Sequence, residues 1–259
     1  MAQKTGQNLQ TQLLEHPTTN NMKFQSLFIA ALFCFGFIPL NRIPTAKPDG
    51  FYNTKVQEPS DIALSASGKS FYIVSDNGIL HETDLEGKII QTGKHKGIDF
   101  EGVYANEQFV YVADETPRKV YVYNASDLSL SKTYILNYSG GRNKGFEAIT
   151  YNQNKQAFVI ITEKEPILIR EYNHDFVLTN EIEFKGVSDV SSATWYNGFI
   201  YLLSDEDMMV LKVSPDDYSV IDKRKIPIIN PEGIAFTKDG KMYITSDDME
   251  RIYYFNAAW

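Results

Sequence analysis

Cysteine is nearly absent from this sequence, and basic residues are fewer than acidic ones. Cys34 is the only cysteine among 259 residues, so a disulfide framework within one chain is excluded. The chain has 25 Lys and Arg against 33 Asp and Glu, for a net charge of −8, and no basic cluster of five or more residues. Because nucleic acids are bound mainly through Lys and Arg contacts to phosphates, we expect no nucleic-acid partner.

Signals for helices and for common catalytic sites are also missing. No window of about 12 residues beyond the N-terminus keeps the apolar period of about 3.6 that marks an amphipathic helix. The sequence contains neither G-x-S-x-G nor H-E-x-x-H, and His81, His95 and His174 are isolated, so neither a zinc site nor a Ser-His pair is expected. Instead the chain has 16 Tyr and 16 Phe with many Val and Ile, which predicts an all-β protein.

The N-terminal part carries an uncharged apolar run. Leu27–Phe37 has 11 residues and follows Lys23, and it is shorter than the ~20 residues that a membrane-spanning helix needs. The run fits the apolar core of a secretion signal, so we expect an extracytoplasmic protein of the periplasm or cell envelope. Three outcomes stay open, namely cleavage, lipidation of Cys34 and retention as a membrane anchor.

The rest of the chain is built from five copies of one pattern. The first strand of each copy reads PSDIAL, FEGVYA, FEAITY, SSATWY or PEGIAF, beginning at residues 59, 100, 146, 191 and 231. A second strand follows each and ends in a small residue and an acid, as in FYIVSD and MYITSD. A third strand follows every copy and a fourth follows four of them. Four short strands in a repeat of about 42 residues are typical of a β-propeller blade.

The sequence therefore predicts a five-bladed β-propeller with four-stranded blades in residues 50–259, preceded by a tail (1–40) and a linker (41–49). The fifth repeat ends at Trp259 after three strands, whereas the strand-like stretch Gly50–Val56 precedes the first repeat. We expect this N-terminal strand to become the outer strand of the last blade. That arrangement closes the ring and covers strand edges that would otherwise aggregate.

The first strands of a propeller line its central channel, so residues at one repeat position are neighbours around a single axis. In the frame above those residues are Ser60, Glu101, Glu147, Ser192 and Glu232. Three converging carboxylates repel one another unless a cation lies between them. Because oxygen ligands from Glu and Ser suit a hard cation, we predict that these five residues bind Ca²⁺ in preference to Mg²⁺. The alternative is that each Glu accepts backbone N–H hydrogen bonds and ties neighbouring blades together.

A second acidic series follows the second strands and comprises Asp76, Asp114, Glu163, Asp205 and Asp247. An Asp at a strand end commonly shapes a turn by accepting hydrogen bonds from nearby N–H groups, and we expect that role here. Adjacent acids, as in Asp114-Glu115, would also make one rim of the channel strongly negative. A basic or cationic ligand would be favoured at that rim.

These repeats make the sequence similar to a known family, the SdiA-regulated or YjiK-like extracytoplasmic β-propellers, from Asp49 to Trp259. The resembling stretches are EPSDIALSASGKSFYIVSD, DFEGV, GFEAITYN, LLSDED and PEGIAFTKDGKMYITSD. The resemblance implies a propeller at or beyond the inner membrane with no firmly assigned activity.

The ring alone is also similar to that of calcium-activated nucleotidases, or apyrases, which are five-bladed with Ser, Glu, Glu, Ser and Glu in blade order around a central Ca²⁺. Their long inter-blade insertions, which supply nucleotide contacts, have no counterpart in the 210 residues from Gly50 to Trp259. Two functions stay open. The first is an exported, Ca²⁺-stabilised, non-catalytic module that binds an unidentified small molecule or protein at the channel rim. The second is a Ca²⁺-dependent phosphoanhydride or phosphoester hydrolase, for which Arg118, Arg142 and Lys144 are the candidate cationic groups near the ion.

Overall fold

The structure is a computed structural model that describes residues 42–141, 144–257 and 259. The predicted N-terminal tail with its apolar run lies outside these residues, as does Arg142. Within the described residues, no helix is long and apolar enough to cross a membrane.

The described chain forms twenty strands in five four-stranded antiparallel sheets. The N-terminal strand is β1 (Gly50–Asn53). Blade one contains β2 (Pro59–Leu64), β3 (Ser70–Ser75), β4 (Ile79–Asp84) and β5 (Ile89–Thr92). Blade two contains β6 (Phe100–Ala105), β7 (Phe109–Asp114), β8 (Lys119–Asn124) and β9 (Leu130–Ile135).

The remaining blades repeat this plan. Blade three contains β10 (Phe146–Asn152), β11 (Ala157–Thr162), β12 (Leu168–Tyr172) and β13 (Leu178–Glu183). Blade four contains β14 (Ser192–Tyr196), β15 (Phe199–Ser204), β16 (Met209–Val213) and β17 (Val220–Lys225). Blade five contains β18 (Pro231–Phe236), β19 (Met242–Ser246) and β20 (Arg251–Phe255), and β1 is its fourth strand. The predicted all-β, five-bladed propeller is thereby confirmed.

The hydrophobic core lies between neighbouring blades. Val74 and Leu80 of blade one pack in one buried cluster with Phe100 and Val112 of blade two. Equivalent clusters fill the other interfaces, because the second strand of each blade is largely apolar on both faces. The packing places the innermost strands β2, β6, β10, β14 and β18 next to one another around the channel.

The ring closes through β1, as the sequence predicts. β1 pairs antiparallel with β20 in a register that sets Gly50 opposite Tyr254 and Asn53 opposite Arg251. Just after β1, the fully buried Val56 joins the cluster between blades five and one. The segment predicted as a linker also contacts the ring, since Thr45 forms a parallel bridge with Lys225 at the outer strand of blade four.

Candidate functional site

An acidic cavity of about 320 Å³ opens at the channel mouth where the five innermost strands begin. Nine carboxylates and one serine line it, namely Asp76, Asp99, Glu101, Glu115, Glu147, Glu163, Asp189, Ser191, Asp205 and Glu232. Among the described residues, no Lys or Arg lines this cavity. It therefore concentrates negative charge in a confined, partly desolvated space.

A β-bulge directs the innermost acidic residues towards this mouth. In blade two, Phe100 pairs with Asp114 and Gly102 pairs with Ala113, so Glu101 is the extra residue between two normal pairs. The same irregularity sets off Glu147 in blade three and Glu232 in blade five. A bulge re-aims the side chain of its extra residue, which explains why three residues from distant repeats converge.

In blade four the structure places Ser191, rather than Ser192, at the position equivalent to Glu101. Ser192 pairs with Leu203 as Gly102 pairs with Ala113, and the Ser191 backbone N–H donates to the Leu203 carbonyl. Ser191 lines the cavity and Ser192 does not. Two adjacent serines fit the sequence repeat equally well, so only the strand pairing distinguishes them.

Ser60 is equivalent to Glu101 in blade one, but its hydroxyl is already engaged. Ser60 is buried, and its Oγ donates a hydrogen bond of 2.5 Å to Asp76 Oδ1. It contributes to the cavity by orienting the Asp76 carboxylate. Of the five predicted ligands, the structure thus brings the three glutamates together at the cavity wall and keeps Ser60 and Ser192 behind it.

The second acidic series lines the outer part of the same cavity. Asp76, Glu163 and Asp205 are lining residues, and Glu115 takes this position in blade two, one residue beyond Asp114. Asp114 is buried and accepts hydrogen bonds from the N–H groups of Ile98 and Asp99 at 3.0 Å, so it shapes a turn as expected.

The remaining acids near the channel mouth differ in their positions and hydrogen-bond partners. Asp247 of the predicted series is absent from the wall and accepts a hydrogen bond from the Asp248 N–H. Asp99 and Asp189 precede the innermost strands and were missed by the repeat pattern. The carboxylate of Asp189 accepts hydrogen bonds from Ser204 Oγ at 2.5 Å and from the N–H groups of Asp205 and Glu206 at 3.1 Å.

The carboxylates of the three innermost glutamates lack hydrogen-bond partners and have raised pKa values. Within the described part of the chain, the carboxylates of Glu101, Glu147 and Glu232 accept no hydrogen bond from a backbone N–H or a side chain, so they are not the blade-to-blade ties of the alternative interpretation. Burial, followed by repulsion from neighbouring carboxylates, raises the pKa of Glu101 and Glu147 well above the usual range. The same causes raise the pKa of Glu232 to about 8. Such groups favour a proton or a bound cation.

Asp61, which the repeat pattern did not single out, closes the channel behind this cavity. Its carboxylate belongs to blade one, yet it accepts hydrogen bonds from the Val103 N–H of blade two at 2.7 Å and from Ser192 Oγ of blade four at 2.6 Å. Ser192 Oγ in turn accepts the Ile234 N–H of blade five at 3.1 Å. Asp61 and Ser192 therefore connect four blades across the axis.

The backbones approach closely at this level of the channel. A Cβ atom on Gly233 would lie 2.8 Å from the Asp61 Cα, and one on Gly102 would lie 2.8 Å from the Ile149 nitrogen. Glycine at these two positions is thus needed for the narrow waist that Asp61 spans. Burial raises the pKa of Asp61, and hydrogen bonds from Ser192, Val103 and Ile62 oppose that effect.

The donor chemistry of the acidic cavity fits a hard cation. All its side-chain ligand atoms are carboxylate or hydroxyl oxygens, which Ca²⁺ prefers, and the carboxylates of Glu101, Glu147, Asp205 and Glu232 accept no hydrogen bond in the described chain. In the described residues, however, no group of three or more His, Cys, Asp and Glu side chains is already arranged to hold a metal ion. The fit therefore rests on charge and ligand type.

We expect the metal-free protein to lose stability as the pH rises. An unfolded Glu titrates near ~4.3, whereas the folded pKa of Glu232 is about 8 and those of Glu101 and Glu147 are also raised. Between these values unfolding releases protons, so raising the pH favours the unfolded state. Burial lowers the pKa of His81 and His95 below 6.5, so both are neutral above that pH.

The measurement is the melting temperature in EDTA between pH 6.5 and about 8.5. It should fall by several degrees, and the Glu232→Gln protein should show a shallower fall. Millimolar Ca²⁺ should remove most of the dependence. A melting temperature that rises with pH in EDTA would contradict the assignment of raised pKa values.

Fold and cavity together define a class: a five-bladed β-propeller whose channel is closed at its waist and strongly acidic at one mouth. The profile of the SdiA-regulated family matches residues 52–256, and the chain belongs to this family. A search of curated proteins found no match. Among solved structures, the chain is similar to glutaminyl cyclase of Myxococcus xanthus, with a TM-score of 0.65, 16% identity, and coverage of 81% of this chain and 97% of that one. At this identity the likeness concerns the fold.

Proposed function

We propose that this member of the SdiA-regulated family is an exported propeller that binds Ca²⁺ at its acidic channel mouth and acts as a non-catalytic binding module. The observation that carries the proposal is the convergence of Glu101, Glu147 and Glu232, which lack hydrogen-bond donors, in a cavity of nine carboxylates. An uncompensated set of partly buried carboxylates is costly, and a divalent cation offsets that cost.

The inner glutamates would hold the ion and the outer acids would surround it. Glu101, Glu147 and Glu232 supply charge from blades two, three and five, and Ser191 supplies a hydroxyl from blade four. Ca²⁺ accepts about 6 to 8 oxygens and commonly completes its shell with water, so a site that is not fully preassembled is compatible with it. Mg²⁺ demands a stricter octahedron and should bind more weakly.

Calcium titration of the apoprotein by isothermal titration calorimetry tests this proposal. Glu101→Gln, Glu147→Gln and Glu232→Gln should each weaken binding by roughly tenfold or more, because each removes one charge next to the ion. Glu107→Gln, at an exposed loop residue, is the matched control and should bind like the parent. Saturating Ca²⁺ should stabilise the parent by about 2.7 kcal/mol at 100 times Kd. Equal Ca²⁺ affinity in all four variants would refute the site.

The two adjacent serines give a finer comparison within the same titration. Ser191→Ala should weaken Ca²⁺ binding modestly, since Ser191 lines the cavity and its hydroxyl, which donates to the Pro231 carbonyl at 3.0 Å, keeps lone pairs for the ion. Ser192→Ala should mainly lower thermal stability, since the Ser192 hydroxyl bonds to Asp61 and to the Ile234 N–H. The opposite pattern would restore Ser192 as the ligand of the sequence prediction.

The hydrolase alternative lacks the cationic groups it needs among the described residues. Arg118 donates to the carbonyl oxygens of Glu115 and Gly141, at 2.5 and 2.7 Å, and Lys144 forms an ion pair of 2.7 Å with Glu165. Neither side chain lines the acidic cavity. Phosphoryl transfer needs cations to neutralise developing charge, so an acidic wall disfavours it.

The same calcium-loaded preparations should therefore hydrolyse neither nucleoside diphosphates nor simple phosphate esters above the buffer rate. Turnover near ~10 s⁻¹ that is lost in Glu101→Gln would favour the hydrolase instead. Export is part of the proposal and rests on the apolar run Leu27–Phe37, and cell fractionation tests it.

A further inference from the structure

A second cavity, of about 460 Å³, opens at the opposite mouth of the channel. We call it the cup. All five blades contribute to its wall through the ends of their innermost strands, including Ala63, Val103, Ile149, Ala193 and Phe236. Asp61 lies in the waist between the cup and the acidic cavity and belongs to neither lining. The cup is thus separate from the proposed calcium site.

The cup differs from the acidic mouth in carrying almost no charge. Among the described residues that line it, Lys238 is the one charged side chain, and its Nζ donates to the Ala66 carbonyl at 3.2 Å. No carboxylate lines the cup to balance a cationic ligand, and one engaged lysine provides little attraction for an anion. An uncharged ligand fits this wall best.

Aromatic rings form part of the wall and are held in place. Tyr196 stacks on Phe236 with ring centroids 4.5 Å apart and an interplanar angle of 9°, and Tyr104 stacks on Tyr151 at 5.9 Å. Trp195 is also a lining residue and packs from behind against the core between blades three and four. Rigid aromatic faces provide contact area at a low cost in conformational entropy.

Polar groups without partners lie beside these rings. In the described chain, the side chains of Thr150, Gln153, Thr194 and Asn197 make no hydrogen bond, although all four line the cup. Thr150 is only 1% exposed and lines the cup, so the little accessible surface that it retains faces the cavity. A ligand with several hydroxyl groups would satisfy these groups, whereas a purely aromatic ligand would leave them unpaired.

We propose that the cup binds an uncharged carbohydrate, whose hydroxyl groups bond to Thr150, Thr194 and the two amides while its apolar ring face packs on the aromatic residues. The volume lies within the range of roughly 300 to 1,000 Å³ that is usual for small-molecule sites. The cup and the calcium site are independent, so this proposal does not depend on the proposed function.

Tryptophan fluorescence tests the proposal, because the chain has two tryptophans and one of them lines the cup. Trp259 lies outside the cup, with its ring 5.2 Å from that of Tyr201, so the full-length Trp259→Phe protein reports on Trp195 alone. The probes are maltose, cellobiose, lactose and N,N′-diacetylchitobiose, with digalacturonic acid and indole for comparison. At least one of the four neutral disaccharides should change Trp195 emission saturably, with a midpoint in the millimolar range or below, and EDTA should not abolish the change.

Thr150 supplies the site-specific control. Thr150→Val should weaken binding of the recognised disaccharide by roughly three- to tenfold, as expected for one lost hydrogen bond, while Thr150→Ser retains it. Thr83→Val, at a buried threonine in the third strand of blade one, should leave binding unchanged. Failure of all four neutral disaccharides, preference for indole or digalacturonic acid, or unchanged binding in a folded Thr150→Val protein would each overturn the proposal.

Discussion

Deleting Gly50–Val56 should abolish cooperative folding of the propeller or cause it to aggregate. The deletion removes β1 from blade five and leaves the edge of β20 unpaired from Arg251 to Tyr254. It also removes the fully buried Val56 and the Tyr52 ring, which lies 5.2 Å from the Tyr254 ring. Burying one such side chain contributes about 1.5 to 3 kcal/mol, so the total loss approaches the ~5 to 15 kcal/mol by which a domain is stable.

A permuted variant, in which the deleted strand is moved to the end of the chain, tests whether the missing strand itself is the cause of the loss. Because Gly50 lies opposite Tyr254 in the native register, the sequence GFYNTKV can be placed after Asn256 through a short Asn-Gly turn. This variant should recover a cooperative thermal transition. Melting of the deletion protein at the parental temperature would show that the ring closes without β1.

Replacing Asp61 by alanine should be the most damaging single substitution in the channel. The carboxylate accepts the N–H groups of Ile62 and Val103 and the Ser192 hydroxyl, and all of these groups are buried. Removing the common acceptor leaves several buried donors unpaired, at about 1 to 3 kcal/mol each. We expect a loss of about 3 to 5 kcal/mol and a fall in melting temperature on the order of 10 °C.

A double-mutant cycle identifies the cross-channel contact as the cause. Ser192→Ala alone should cost about 1 to 2 kcal/mol, and Asp61→Ala/Ser192→Ala should cost less than the sum, since both residues belong to one network. Asp84→Ala, at a turn aspartate that accepts N–H groups from Glu86 and Lys88, is the matched control with a loss near ~1 kcal/mol. If Asp61→Ala melted within about 2 °C of the parent, the cross-channel network would have no role in stability.

The blade count, the strand order and the closure by β1 were all predictable from the sequence. The blade count and strand order depend on local signals that recur five times, so a chance match in one repeat has little effect. The closure was predictable because the last repeat, which ends at Trp259, has only three strands. Convergence of Glu101, Glu147 and Glu232 follows from the same repetition. Any closed ring brings equivalent positions to one axis, whatever the details of packing.

Positions that differ by a single residue were decided only by the tertiary structure. Ser191 and Ser192, and likewise Asp114 and Glu115, carry similar side chains, so the pattern alone cannot select between them. The strand pairing decides which of the two faces the channel mouth. Asp61 has no acidic counterpart in the other repeats, and its role depends on reaching Ser192, 131 residues away in the chain. A repeat pattern contains only what the blades share, and the strand pairing and the width of the channel determine what is particular to each blade.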